Sequence, residues 1–155
     1  MYVVKSILFY IYCNYMNTLR KDINFGLGQE NKLINTIKDY FNDTCVKTDE
    51  PYAPFDFISD TCLYELKSRR LYYNTYATTI FPKHKIDKTD NIDKKKILLF
   101  SFIDGLYHIE YNKKIFDTFK VSNRRYRSDR LYNGKYIDKV IDYFEIPITN
   151  LTKIC

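Results

Sequence analysis

The chain has 155 residues, 45% apolar and 28% charged, a balance that fits a single globular domain with a real core and excludes a disordered chain. Only four Gly and four Pro are present, with no Gly/Ser- or Pro-rich linker and no internal repeat, while 16 Tyr and 11 Phe supply an aromatic surplus of the kind an AT-rich coding sequence produces. A net charge of +6 and a pI near 9.0 are compatible with a polyanionic partner without requiring one.

In chain order, "MYVVKSILFYIYCNYM" carries an apolar run, Ile7 to Cys13, far shorter than the roughly 20 residues of a membrane-spanning helix. It lacks the small-residue cleavage site of a signal peptide. Residues 1–15 read as an N-terminal extension, an added strand or helix on the domain, with Met16 as an alternative start. No membrane association is expected.

From Gly28 to Asn42 the apolar positions Leu33, Ile34, Ile37, Tyr40 and Phe41 fall on one stripe of an amphipathic helix. Glu30 projects from its first turn toward the same stripe, where the positive end of the helix favours a carboxylate. A short strand is expected at Thr44 to Thr48. Then "FDFIS" and "CLYELKS" read as two strands joined by Asp60-Thr61. In "LYYNTYATTIFPKHKID" Pro82 fits the first position of a helix. "KKKILLFSFI" and "LYHIEY" flank Asp104-Gly105, a hairpin signal, because such a pair supplies positive φ values. "KVSNRRYRSDR", residues 120–130, reads as an exposed basic loop. "YIDKVIDYFEIP" reads as a strand ended by Pro147, and a short terminal helix with Ile148, Leu151 and Ile154 on one side is expected. The class is α/β around a mixed central sheet.

The Asp60-Thr61 connection has a chemical consequence. A two-residue turn sets Ser59 opposite Cys62, Ile58 opposite Leu63, Phe57 opposite Tyr64 and Asp56 opposite Glu65. Opposed side chains lie about 4.5–5.5 Å apart at Cβ. Like charges there are destabilising unless a cation lies between them, and alternation puts Lys67 on the same face as Glu65. The [DE]-x-K tripeptide alone means little, since Glu30-Asn31-Lys32 and Asp93-Lys94-Lys95 repeat it. What sets Glu65 apart is an apolar strand with an acidic residue in register. The bland alternative is a solvated surface ion pair.

Gly26-x-x-x-Glu30 opening a helix, then Asp56, then Glu65-x-Lys67 resembles the PD-(D/E)XK nuclease superfamily. The resemblance spans about residues 26 to 110 and consists of short motifs. One departure is that Phe55 stands where the family has Pro, with Pro54 one place earlier. The resemblance implies a restriction-endonuclease-like αβββαβ core and a Mg²⁺-dependent (or Mn²⁺-dependent) enzyme hydrolysing DNA phosphodiester bonds. Asp56 and Glu65 would bind the metal, Lys67 would orient or activate the attacking water, and Glu30 would assist. Hard carboxylate oxygens suit Mg²⁺, which binds through one or two carboxylates plus substrate phosphate.

Arg69, Lys83 and the run Arg124, Arg125, Tyr126, Arg127 are the expected nucleic-acid contacts, cations for phosphates and an aromatic for base stacking. Cys13, Cys45, Cys62 and Cys155 are scattered with no C-x-x-C pair, and His84 and His108 are not spaced to complete a zinc site, so the thiols read as reduced and intracellular. No phosphate-binding G-x-x-x-x-G-K-[ST] loop and no local signature of a Ser/His/Asp triad is present. The small core suits a viral or mobile-element protein acting alone, as a homodimer, or as a subunit of a larger complex. The rival reading is a non-catalytic nucleic-acid-binding module of the same fold.

Overall fold

The computed structural model describes residues 21, 24–50, 53–132 and 135–155, with 126–132 and 135–138 described by their backbone alone. The chain, read above as one domain, divides into two compact units, the first ending at Asn42 and the second running from Asp43 to Cys155. The expected N-terminal extension, residues 1–15, lies outside the described residues.

In the first unit a helix, α1 (residues 24–41), starts before the expected Gly28, so Glu30 lies beyond its first described turn. It bears the expected stripe in part: Ile37 is wholly buried and Leu33, Ile34 and Phe41 half-buried, whereas Tyr40 is exposed. It ends at Asn42, whose φ of 48° is the left-handed conformation that a helix C-terminus favours and that Asn tolerates better than most residues.

The second unit holds β1 (Val46–Lys47), β2 (Phe57–Ile58), β3 (Cys62–Ser68), β4 (Thr78–Pro82), α2 (Lys83–Asp87), β5 (Lys95–Phe102), β6 (Gly105–Glu110), α3 (Lys113–Phe116), β7 (Lys120–Tyr132), β8 (Lys135–Pro147), a 3₁₀ turn (Ile148–Asn150) and β9 (Thr152–Lys153). Six strands form one sheet in the order β1-β2-β3-β5-β6-β9, and three form another in the order β4-β8-β7. Among the described residues only β3 and β5 pair in parallel; the other pairings are antiparallel. The architecture is therefore mixed α/β, mostly antiparallel, with few helices.

The β3–β5 pair is the centre of the large sheet, and its strands read as near-continuous apolar runs because both faces are covered: Cys62 to Leu66 and Lys96 to Phe100 are all buried. One face packs against α2 and the small sheet, with Leu63, Leu98, Phe100, Phe81, Ile86, Phe144 and Ile146 in a common core. Alternation along β3 places Leu63, Glu65 and Lys67 on that face, and Arg69 continues it, its N–H donating to Ser101 O at 2.7 Å. The crossover from β3 to β5 runs through β4 and α2, which brings α2 over Glu65.

Four local expectations change. Residues 120–130 are not a loop but most of β7, paired with β8 from Lys120 opposite Glu145 onward. The density of charge there reflects a ribbon with exposed positions on both faces, Lys120, Val121, Asn123, Arg124 and Arg125 among them. The terminal helix is a single 3₁₀ turn, after which the backbone pairs with β6 as β9. Pro82 is not the first residue of α2 but the residue before it, extended at φ −69° and ψ 119° and still in β4.

The β5–β6 hairpin forms, but Phe102 pairs with Gly105, so the two connecting residues are Ile103 and Asp104 rather than Asp104 and Gly105. Neither has a positive φ. Gly105 answers a different demand: a Cβ there would lie 2.7 Å from the carbonyl oxygen of Cys155, which accepts from the Leu106 N–H.

Candidate active site

The hairpin β2–β3 has the expected register, Phe57 opposite Tyr64 and Ile58 opposite Leu63, with Ser59 N–H donating to Cys62 O at 2.9 Å. Ser59 Oγ also accepts from the Cys62 N–H at 3.0 Å and closes the Asp60-Thr61 turn. Beyond Phe57 the ladder departs from the expected square pairing of Asp56 with Glu65. Asp56 N–H donates to Tyr64 O at 2.9 Å, so that Asp56 and Phe57 together face Tyr64, the two-against-one arrangement of a bulge. A bulge re-aims a side chain, and here Asp56 Oδ2 accepts from the Leu66 N–H at 2.8 Å. Asp56 remains within electrostatic reach of Glu65. Burial raises its carboxyl above the ordinary value, the Glu65 charge raises it further, and Lys67, the Leu66 N–H and Lys85 act in the opposite direction.

Glu65 is 0% exposed, opposite Leu98 in the parallel ladder. Lys67, two residues on, and Lys85, from α2, both donate to its Oε1. Its Oε2 is buried without a hydrogen-bond partner. A buried carboxylate oxygen left unsatisfied carries a desolvation cost of about 1–3 kcal/mol or more, because the group is charged. An atom in that position is chemically available to a cation. Lys67 and Lys85 are each about a fifth to a quarter exposed (25% and 20%), so the cluster opens toward solvent on its cationic side.

These residues fit one kind of cation better than others. Among the described residues no group of three or more His, Cys, Asp or Glu side chains converges, so neither a zinc site nor an all-protein calcium cage is present. Two carboxylates, one with a vacant oxygen, match Mg²⁺ or Mn²⁺ held in part by water and a substrate phosphate.

The opposite face of β3 is fixed by Tyr64, whose hydroxyl donates to Asp43 Oδ2 at 2.5 Å. Burial first, and then that bond, push the Tyr64 hydroxyl pKa well up. Burial would raise Asp43, but hydrogen bonds from Tyr64, Ser59 and the Thr44 N–H outweigh it and leave the carboxyl below its ordinary value.

Of the other expected residues, Glu30 is half-buried on α1 in the first unit, and the cluster just described belongs to the second unit alone. Lys83 pairs with Asp87 one helical turn along α2 at 2.6 Å, whereas Lys85 is the α2 cation that reaches Glu65. The sequence offered no signal to choose between them; the choice follows from α2 starting at Lys83 and turning Ile86 into the core.

Arg69 Nη2 donates to Ile80 O at 2.7 Å, and burial, opposed by Tyr143 and reinforced by Arg124, lowers the guanidinium pKa. Arg124 and Arg125 are exposed neighbours on β7 and so leave opposite faces of the ribbon. The side chains of Tyr126 and Arg127 lie outside the described residues. No helix among the described residues is long and apolar enough to cross a membrane.

Compared with known proteins, the chain matches no family model, no curated protein and no solved structure.

Proposed function

We propose that the chain is a Mg²⁺-dependent nuclease of the PD-(D/E)XK type that hydrolyses DNA phosphodiester bonds, acting inside the cell alone or within a larger assembly. The observation that carries the reading is Glu65, wholly buried with one oxygen on two lysines and the other unpartnered beside the raised carboxyl of Asp56. The order α1-β1-β2-β3-β4-α2-β5, with β3 and β5 parallel and adjacent, supports it in part: it follows the αβββαβ succession that the resemblance implies except that β4, a strand of the second sheet, is interposed between β3 and α2.

Asp56 and Glu65 would hold the ion; when bound, it polarises the phosphoryl group and makes water a usable nucleophile at neutral pH. Asp56 is oriented by the Leu66 N–H, and Glu65 by Lys67 and Lys85, so both carboxylates are set before substrate arrives. Lys67, partly exposed beside them, is placed to stabilise negative charge on the phosphoryl oxygens as it grows. The apolar core beneath keeps bulk water from the inner side of the cluster, which strengthens each of these interactions.

Nicking of supercoiled plasmid tests the reading. Cleavage should require Mg²⁺ or Mn²⁺ and fall by about 10²–10³-fold in Lys67→Ala. It should vanish in Asp56→Asn, with both variants folded by circular dichroism. Absence of any metal-dependent cleavage by the intact chain contradicts it.

A second reading, a non-catalytic nucleic-acid-binding module, is favoured by one observation: Lys67 and Lys85 already pair with Glu65 without a further cation. DNA binding in Mg²⁺ without cleavage would select it.

A further inference from the structure

Beyond the carboxylate cluster, the same face of β3 leads into a second site. Arg69 follows Glu65 by four residues, roughly 13 Å along an extended strand. There it lines a cleft of about 450 Å³ with Arg124 from β7, Tyr73 and Tyr76 from the segment after β3, and Thr78 at the start of β4. The volume falls in the range of small-molecule sites.

Three features define what would fit. First, none of the described residues lining the cleft is acidic, and two are arginines. Arg69 is half-buried, bonded to the Ile80 carbonyl, and has no ion-pair partner among the described residues. Arg124 acts on it as a like charge, so an anion between them would relieve a cost already present in the fold. Glu145, whose charge also reaches Arg124, is paired with Lys120 at 3.5 Å.

Second, the aromatic lining is divided. Tyr73 stacks on Tyr107 at a centroid distance of 4.1 Å and donates its hydroxyl to Ile148 O at 2.6 Å, so it is a rigid wall. Tyr76, by contrast, is 65% exposed at the rim, with ring surface available. Third, Thr78, which carries a hydroxyl, is an exposed residue of the same lining. Guanidinium groups recognise phosphate oxygens, and an exposed tyrosine face recognises an unstacked base.

We propose that the Arg69–Arg124 cleft binds a nucleoside phosphate with its base unpaired, the phosphate between the two guanidinium groups and the base on Tyr76. A folded duplex would not offer such a base, so the ligand is a free nucleotide or an unpaired nucleotide of a strand. That a strand would continue from this cleft to Glu65 rests on the nuclease reading above; the cleft itself does not.

Binding measured by calorimetry on the full chain, in EDTA to silence any metal chemistry, tests the proposal with thymidine, thymidine 5′-monophosphate, inorganic phosphate and an eight-residue oligothymidylate. The monophosphate should bind at least tenfold more tightly than thymidine and than inorganic phosphate. Arg124→Ala and Tyr76→Ala, both at exposed positions, should each weaken it by about tenfold. An oligonucleotide bound more than tenfold more tightly than the monophosphate identifies a strand as the ligand, and equal affinities identify the free nucleotide. Equal binding of thymidine and its monophosphate, or affinities untouched by both substitutions, overturns the proposal. Plasmid nicking reports separately: cleavage with no cleft binding sinks the cleft alone, and cleft binding with no cleavage sinks the nuclease alone.

Discussion

At the scale of single residues, the charge cluster makes opposite predictions for its acidic and basic members. Asp56 has its carboxyl raised, so its ionised form is disfavoured by folding. Stability tied to Asp56 is therefore greatest at acid pH and declines as pH rises from the unfolded carboxyl value through the folded one. Asp56→Asn removes that cost and keeps an oxygen for the Leu66 N–H, so its melting temperature in EDTA at pH 7 should equal or exceed that of the wild type. Lys85→Met has the reverse effect. It takes one of two ammonium groups from the wholly buried Glu65 and should lower stability by about 1–3 kcal/mol in denaturant unfolding, less than complete isolation of the carboxylate because Lys67 remains. Such a pattern, in which a carboxylate costs stability, suits a residue kept for its chemistry.

At the scale of elements, the central parallel pair supplies much of the core. Leu98→Ala empties a fully buried position on β5 directly beside Glu65 and should cost about 2–5 kcal/mol. Gly105→Ala pushes a methyl against the Cys155 carbonyl, so the terminal strand must shift. The expected sign is faster amide exchange at Ile154, whose N–H donates to Leu106 O at 2.7 Å, with the remaining sheet unchanged.

How much of this was legible depends on how local the cause was. The β2–β3 register could be read because a two-residue connection dictates it, and β5 because an apolar run of that length has few other uses. The bulge at Asp56 could not be read, since it arises where the N–H of Thr48, the residue after β1, donates to the Asp56 carbonyl at 2.9 Å. The β7–β8 ribbon was misread through charge density, although Asn133-Gly134 in "YNGKY" is a strong hairpin signal flanked by aromatic residues. Lys85 was hidden because its role depends on the crossover that folds α2 over β3, a long-range event with no trace in neighbouring residues.

At the scale of the whole molecule, net charge and titration set the conditions for function. On the proposed nuclease reading, the +6 surplus and the exposed Arg124 and Arg125 predict DNA binding that weakens steeply with salt, and alanine at an arginine that meets a phosphate should reduce the logarithmic salt slope by about one. Acid sensitivity has a definite direction. Burial lowers the pKa of His108, and burial with nearby lysines lowers that of His84. Each imidazole is thus favoured neutral in the folded chain, and stability present above the ordinary histidine value, near pH 6.5, is lost as pH falls through it toward the lowered folded value. Asp43 adds a further loss below the ordinary carboxylate value, while Asp56 partly offsets it. The melting temperature should therefore begin to fall between pH 7 and pH 5, and His108→Gln should flatten that slope.

The proposed chemistry requires Asp56 and Glu65 to share a divalent cation, and Mn²⁺ binding followed by electron paramagnetic resonance tests this most directly. One Mn²⁺ per chain is expected in the wild type, displaced by excess Mg²⁺ and lost in folded Asp56→Asn. Equal Mn²⁺ binding by the wild type and Asp56→Asn, or none by either, would contradict the shared metal site.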